Sequence, residues 1–385
     1  MTNPTITWTA AGQECSAVWL SATGHNPPKR IELVDDQLDA DTAHRFASEG
    51  TAMLWHGDFQ SAKLLLQALA RRVERSAGKA KPAASITEAF HKHRMTQAQR
   101  SRILGMVLVP VEAGFQVALK RAPDVAEACQ QVFGDEAAQL PQALLSLREL
   151  QGLIGAYEWR KKGVEIPVLG ARIHPWHGIF SPVRGEYLEL IAKADFPKVL
   201  AEDPKAFAFD VGTGTGVIAA LLAKRGVKKL VATDIDDKAL ACARDNLQRL
   251  NCIPKVKLEK ADLFPQGKAA LIVCNPPWLP GKPGSPIENA IYDPDSRMLK
   301  GFLAGLAAHL VAGGEGWLIL SDLAEHLGLR SRAELEALFA ANGLRVVGRL
   351  NARPTHPKAR DENDPLSAAR GKEVTSLWRL AALPA

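Results

Sequence analysis

The chain has 385 residues, 46% hydrophobic and 23% charged, a globular composition that excludes a collagen-like, disulfide-scaffold or wholly disordered protein and leaves room for two domains. Its formal charge is +6. Residues 1–165 carry 19 Lys and Arg against 18 Asp and Glu, so +5 falls on the remainder, a surplus compatible with a polyanionic partner.

The opening "MTNPTITWTAAGQEC" lacks the basic and apolar regions of a signal peptide, and no uncharged apolar run reaches the length of a membrane span. "FQSAKLLLQALARRVERS" has apolar positions at helical spacing and ends on Arg71, Arg72 and Arg75, where cations suit the helix dipole. "SAGKAKPAAS" (76–85) reads as a loop or short linker. Ser85-Ile86-Thr87-Glu88 is a capping-box signature that opens a second helix. Further helical patterns lie around 122–132, 138–147 and 147–160. Residues 1–165 are thus expected to form a mixed, largely helical domain, with 166–204 as a lead-in hairpin or helix to the last segment, 205–385.

From about 205 the chain alternates strand, turn and helix: "AFAFDV", then "KLVATD", "VKLEKADLF", "ALIVC", "GWLILSD", "LRVVGRL" and "VTSLWRLAAL", with helices between most of them. This rhythm predicts an α/β fold, a parallel sheet covered by helices on both faces.

Asp210-Val211-Gly212-Thr213-Gly214-Thr215-Gly216 joins the first of these strands to a helix. Glycines permit a tight turn and a close approach of ligand to backbone. The spacing is GxGxG after an acid, not the GxGxxG of dinucleotide sites, and no Lys-Ser/Thr follows as in a phosphate loop, so a ligand without phosphates is implied. The second strand ends in Asp234, which can accept from both hydroxyls of a ribose; Asp236 and Asp237 cap the next helix. The third ends near Asp262 and Leu263, an acceptor for an amino group beside an apolar side chain. Singly, each acid is an ordinary cap or turn residue. Three acids at the carboxyl ends of three successive strands, beside a glycine loop, mark the edge where such sheets bind ligands. The fourth strand stops at Asn275-Pro276-Pro277-Trp278, where two prolines remove two donors and fix two φ angles. By itself that corner could be a loop with a packed tryptophan.

Residues 205–320 resemble class I S-adenosylmethionine-dependent methyltransferases of the methyltransferase small domain type, on Asp210-x-Gly212-x-Gly214-x-Gly216, Asp234, Asp262 and Asn275-Pro276-Pro277-Trp278 in that order. The resemblance implies a Rossmann-like seven-stranded sheet and S-adenosylmethionine as cofactor, held by Asp210, Gly212, Gly214, Gly216, Asp234, Asp262 and Leu263. It further implies that the Asn-Pro-Pro-aromatic corner methylates a planar amino nitrogen. Such a nitrogen is a poor nucleophile, because its lone pair is delocalised. The Asn275 amide oxygen and the Pro276 carbonyl can each accept one of its N–H groups and steer the lone pair toward the methyl. Trp278 offers a face for stacking, where Tyr or Phe is the commoner aromatic.

Two substrate classes share this chemistry: an exocyclic amine of a base in structured RNA (rRNA or tRNA), and the side-chain amide of glutamine in a protein. "IHPWHGIFSPVRGEYLEL" (173–190) partly resembles the lead-in of protein-glutamine methyltransferases, through Pro182, Arg184 and Glu186. RNA methyltransferases have similar lead-ins, and a hairpin packing on the sheet edge is the plainer reading. For RNA, "HKHRMTQAQRSR" (91–102) places Arg94 and Arg102 on one side of a helix, and the insertion 351–373 carries Lys358 and Arg360; either could equally be a solvated surface. The segment 279–299, with Glu288 and Tyr292, is expected to fold over the target. RNA is the favoured substrate, with Pro277, Arg184, Glu186, Arg94, Arg102, Lys358 and Arg360 on the substrate side. A non-catalytic binding scaffold is the remaining alternative. The five cysteines form no CxxC pair, and the pairs His91/His93 and His174/His177 lack a carboxylate or cysteine at ligand spacing. A cytoplasmic protein without metal is therefore expected.

Overall fold

The computed structural model describes residues 3–10, 12–77, 83–183, 185–203, 205–354 and 364–384. Its chain divides into two units, 1–84 with 91–158, and 85–90 with 159–385.

The first unit is built on a seven-stranded sheet of β1 (Thr5–Ala10), β2 (Gln13–Leu20), β3 (Arg30–Val34), β4 (Thr51–Trp55), β5 (Val107–Glu112), β6 (Gln116–Val117) and β7 (Gln142–Ser146). The order is β1-β2-β7-β5-β4-β3, with β6 paired to β5. Helices α1 (Ala40–Ser48), α2 (Phe59–Ala77), α3 (Ile86–Leu104), α4 (Ala126–Ala138) and α5 (Leu147–Lys162) complete this part of the chain. Side chains alternate across the central strands: Met53, Trp55, Val107, Val109, Ala143 and Leu145 join a large core with the helices, and Ala52, Leu54, Leu108 and Leu144 join a smaller cluster with Trp19 on the other face. The unit is mixed, as expected, but residues 142–146, read from sequence as helical, form a strand. "QALLS" has helix-favouring residues; its placement between β5 and β2, with four of its five residues buried, overrides that propensity.

The first turn of α3, through Phe90, groups with the second unit. There, β8 (Val164–Ile166) and β9 (Ala171–Ile173) form an antiparallel hairpin, followed by α6 (Glu186–Lys193) and α7 (Lys198–Glu202). Then come β10 (Phe207–Val211), α8 (Val217–Lys224), β11 (Lys229–Asp234), α9 (Asp237–Arg249), β12 (Val256–Lys260) and β13 (Ala269–Cys274). Two short paired strands, β14 (Leu279–Pro280) and β15 (Tyr292–Asp293), precede α10 (Arg297–His309) and β16 (Leu310–Ser321). The chain closes with α11 (Leu323–His326), α12 (Arg332–Ala341), β17 (Leu344–Ala352), α13 (Ser367–Arg370) and β18 (Thr375–Ala382).

The second sheet runs β12-β11-β10-β13-β16-β18-β17. Its first five strands are parallel, while β18 is antiparallel to both neighbours, so the wholly parallel sheet anticipated from sequence is corrected at one strand. No helix lies between β17 and β18 that could supply a crossover: α13 has only four residues, and an antiparallel return needs none. Continuous apolar runs such as "AALIVC" in β13 are buried on both faces, Leu271 and Val273 in one core and Ile272 and Cys274 in the other.

Candidate active site

The strand order puts the carboxyl ends of β12, β11, β10 and β13 side by side, and each carries residues singled out in the sequence. After β10 the chain turns through Gly212, Gly214 and Gly216, with φ of 73°, 53° and 79°, a region that side chains with a Cβ rarely adopt. A Cβ on Gly216 would lie 3.1 Å from that of Ala243 in α9, so this glycine serves helix packing. One on Gly212 would meet Met298 of α10, and one on Gly214 would meet nothing within 4 Å. The loop therefore has a bare backbone facing open space at Gly214. The amides of Gly212 and Thr213 donate to the Thr233 carbonyl (3.0 and 2.8 Å), and that of Gly214 to Asp234 Oδ2 (3.0 Å).

Asp210 is fully buried. Its Oδ2 accepts from Thr213 Oγ1 (2.7 Å) and the Ala219 amide (3.1 Å), whereas Oδ1 has no hydrogen-bond partner among the described residues. Burial pushes its carboxyl up to about 7, with the charge of Asp234 acting in the same direction. Asp234 is itself held above its ordinary range by burial, against the amides of Asp236 and Gly214. Two acids in poor solvent contact beside a bare loop repel a phosphate and favour a ligand with cationic and hydroxyl groups. S-adenosylmethionine fits: its cationic end would satisfy the orphaned acid, and Asp234 retains lone pairs for ribose hydroxyls.

Asp262 is engaged differently from the simplest expectation, since its carboxylate pairs with Arg297 at the start of α10. Leu263, with φ of 78°, donates its carbonyl to the structure as acceptor for Thr233 Oγ1 at 2.5 Å and packs partly on the core. Ile235, directly after Asp234, is 60% exposed. An apolar side chain left in solvent at this edge was overlooked in the sequence, although its position just beyond a strand-terminal acid is a readable signal.

Asn246 was also missed. It is buried in α9, accepts from the His174 amide (2.7 Å) and donates to the Thr215 carbonyl (3.0 Å), tying the glycine loop to the lead-in segment. It stands in the apolar stripe Ala239, Cys242, Ala243, Leu247, and a lone amide in such a stripe is its sequence signature. The lead-in packs on α9 through Trp176 and Ile179, against Ala239 and Cys242. Burial lowers His177 beside it to about 4.

At the corner, Pro276 is buried, and Asn275, Pro277 and Trp278 are half-buried. Trp278 does more than present a face: its indole N–H donates to Asn275 Oδ1 at 2.9 Å, while its ring packs partly against both cores. Oδ1 keeps a second lone pair. The Trp278 carbonyl lies 3.5 Å from Nη2 of Arg330, whose guanidinium burial depresses. Residues 279–293 fold back as β14 and β15, with Glu288 accepting from the Gly284 amide (2.7 Å) and Tyr292 in tilted ring contact with Phe90.

Of the other substrate-side candidates, Glu186 is buried in the first turn of α6, and Arg94 and Arg102 lie on α3 in the first unit, where Arg102 reaches the Ala47 carbonyl at 3.5 Å. Arg184, Lys358 and Arg360 lie outside the described residues. Among the described residues no group of three or more His, Cys, Asp or Glu side chains could hold a metal ion, and no helix is long and apolar enough to cross a membrane.

A doubly wound sheet with a glycine loop, strand-terminal acids and an Asn-Pro-Pro-Trp corner along one edge defines the class of nucleoside-dependent methyl-transfer enzymes. Comparison with known proteins agrees. The profile of the methyltransferase small domain matches residues 194–342. A Methanocaldococcus jannaschii protein bearing the provisional name protein N5-glutamine methyltransferase is 30% identical over 168 residues, 42% of this chain and 80% of that protein. The release factor glutamine methyltransferase of Cereibacter sphaeroides is 34% identical over 39% of this chain and 52% of its own length. The tRNA1(Val) (adenine(37)-N6)-methyltransferase of Bacteroides thetaiotaomicron is 29% identical over 38% and 64%. A solved methyltransferase from Pyrococcus furiosus is 18% identical, covering 60% of this chain and 98% of that one with a TM-score of 0.39. The chain thus spans most of one relative and little more than half of another. It belongs to the methyltransferase small domain family of class I S-adenosylmethionine-dependent methyltransferases and is an N-methyltransferase.

Proposed function

We propose that the enzyme methylates an exocyclic amine of a base in structured RNA, with Asn275 as the residue that orients the amine. The observation that carries the orienting role is the fixed Asn275 amide. The Trp278 indole holds Oδ1 toward the corner and leaves one lone pair for an incoming N–H. The Pro276 carbonyl is the second acceptor, in a backbone stiffened by Pro276 and Pro277. Two acceptors on one amino group set its lone pair perpendicular to the ring and reduce the reorganisation needed to reach the transition state. S-adenosylmethionine, when bound, supplies an electrophilic methyl group. Asp234 would hold the ribose, Gly214 would let the ligand approach the backbone, Ile235 and Leu263 would flank the adenine and Asp262 would accept from its amino group, while Asp210 would balance the cationic end. No strong base is required, because the nitrogen becomes acidic once methylated.

The RNA assignment is supported by the +5 charge carried outside residues 1–165 and by the tRNA-modifying relative. Pro277 would border the target, and the cationic residues Arg94, Arg102, Arg184, Lys358 and Arg360 would meet phosphates. A second reading, methylation of a glutamine side chain in a protein, is favoured by the two relatives named for that reaction. Transfer of labelled methyl from S-adenosylmethionine into extract of a strain lacking this protein, followed by separation of RNA from protein, decides between them. Label in RNA is expected; label confined to a protein band overturns the RNA reading in favour of glutamine.

A further inference from the structure

The same parallel strands that gather acids at one edge of the second sheet gather lysines at the other. Lys205 stands two residues before β10, Lys228 and Lys229 open β11, Lys255 and Lys257 flank the start of β12, and Lys268 immediately precedes β13. All six are exposed. Because β12, β11, β10 and β13 are neighbours, these six residues fall along an edge about 14 Å wide, three inter-strand spacings. Glu202, Asp203 and Glu259 are the acids in the same segments. Lys257 is paired with Glu259 at 2.7 Å, and Lys255 donates to the Ala223 carbonyl at 3.1 Å.

The lysines surround a real concavity. A cleft of about 310 Å³ is lined by Phe207, Lys228, Lys229, Pro254, Lys255 and Lys257, among others. Phe207 is 43% exposed within it, with the Lys229 ammonium 5.2 Å from its ring centre. An aromatic face left in solvent between cations has no role in folding this edge, since burying it would release about 2 kcal/mol. Aromatic and ammonium groups in one groove match a nucleic-acid strand: phosphates meet the lysines, and a ribose or unstacked base lies on the ring.

We infer that this amino edge is a docking surface for the phosphate backbone of the RNA substrate, separate from the edge where methyl transfer occurs. The inference rests on the RNA reading above. β10 has five residues, so the two edges are about 17 Å apart. An RNA that reaches both must wrap around the sheet, which a short single-stranded oligonucleotide carrying only the target base cannot do. The enzyme accordingly selects folded RNA by its extent as well as by its base.

The test replaces Lys228, Lys229, Lys255 and Lys257 together by Gln in the full chain, with the four Lys→Arg changes as the charge-preserving control. Binding of bulk tRNA and rRNA is measured by filter retention between 50 and 300 mM salt, with S-adenosylmethionine affinity measured separately by calorimetry. The Gln variant is expected to bind RNA at least tenfold more weakly at 100 mM salt. Its slope of log affinity against log salt should be shallower by about 3, close to 0.9 for each lost phosphate contact. Cofactor affinity should be unchanged, and the Arg variant should retain the wild-type slope. Wild-type RNA affinity and slope in the Gln variant would overturn the docking surface alone. A wild-type enzyme that binds no RNA but retains an acidic protein would overturn both this inference and the RNA reading.

Discussion

Asn275 shares its amide oxygen with the indole of Trp278, and that one bond makes two substitutions informative. Asn275→Ala should abolish turnover, a loss of at least 100-fold in kcat, while cofactor affinity measured by calorimetry stays within about twofold; a large loss of cofactor binding would contradict the orienting role. Trp278→Phe keeps an aromatic ring and removes only the donor. A hydrogen bond of this kind is worth about 1 kcal/mol, so kcat should fall several-fold to tenfold with little change in cofactor affinity. Asp210 gives a pH test. Its folded carboxyl titrates near 7, well above the ordinary 3.8, so the unfolded chain loses its proton first as pH rises. The stability linked to this group is full below about 4, is lost between about 4 and 7, and stays lost above. A cationic ligand favours the ionised form. S-adenosylmethionine should therefore bind more tightly at pH 8 than at pH 6 and release close to one proton at pH 6, as read by calorimetry in buffers of different ionisation heat. Asp210→Asn should remove both effects.

Among the elements, the loop after β10 and the helix α9 act together, because Asn246 reaches from one to the other. Asn246→Ala leaves the Thr215 carbonyl and the His174 amide without this partner inside the protein. It should lower the melting temperature by several degrees and weaken cofactor binding, whereas Asn246→Asp keeps an acceptor for His174 but loses the donor to Thr215. The contrast between these variants in cofactor affinity, at matched temperature below unfolding, isolates the loop contact. The same elements show what the sequence could reveal. Strand, glycine turn and helix follow each other closely from β10 onward, so local pattern defined both the second sheet and the residue types at its edge. In the first unit, β4 (Thr51–Trp55) and β7 (Gln142–Ser146) are short and almost wholly buried, so neither shows the polar alternation that marks a strand. Within the site, the residue types were legible, but their partners were not. Trp278 with Asn275 is local, yet Asp262 with Arg297 and Asn246 with His174 join residues 35 and 72 positions apart.

For the whole molecule, the +6 charge and its bias toward the second half predict that RNA methylation is steeply salt-dependent. Raising salt from 50 to 300 mM should cut kcat/KM on RNA by more than tenfold and leave S-adenosylmethionine affinity nearly constant. A salt-insensitive rate would argue for a protein amide as the acceptor.

The grouping of residues 85–90 with the second unit also bears on how the chain is made. Phe90 shares a cluster with Leu279, Leu323, Leu327 and Leu366, and Thr87 Oγ1 donates to the Leu327 carbonyl 240 residues downstream. As the polypeptide leaves the ribosome, the first unit has all its strands once residue 146 has emerged, but the first turn of α3 waits for partners that arrive more than 180 residues later. At 5–20 residues per second this is a delay of roughly 10–40 s. During that interval Phe90 is an apolar group without its cluster, a natural handle for a chaperone. A fragment beginning at residue 159 would lack it altogether, with an opening left beside Leu279 and Leu323.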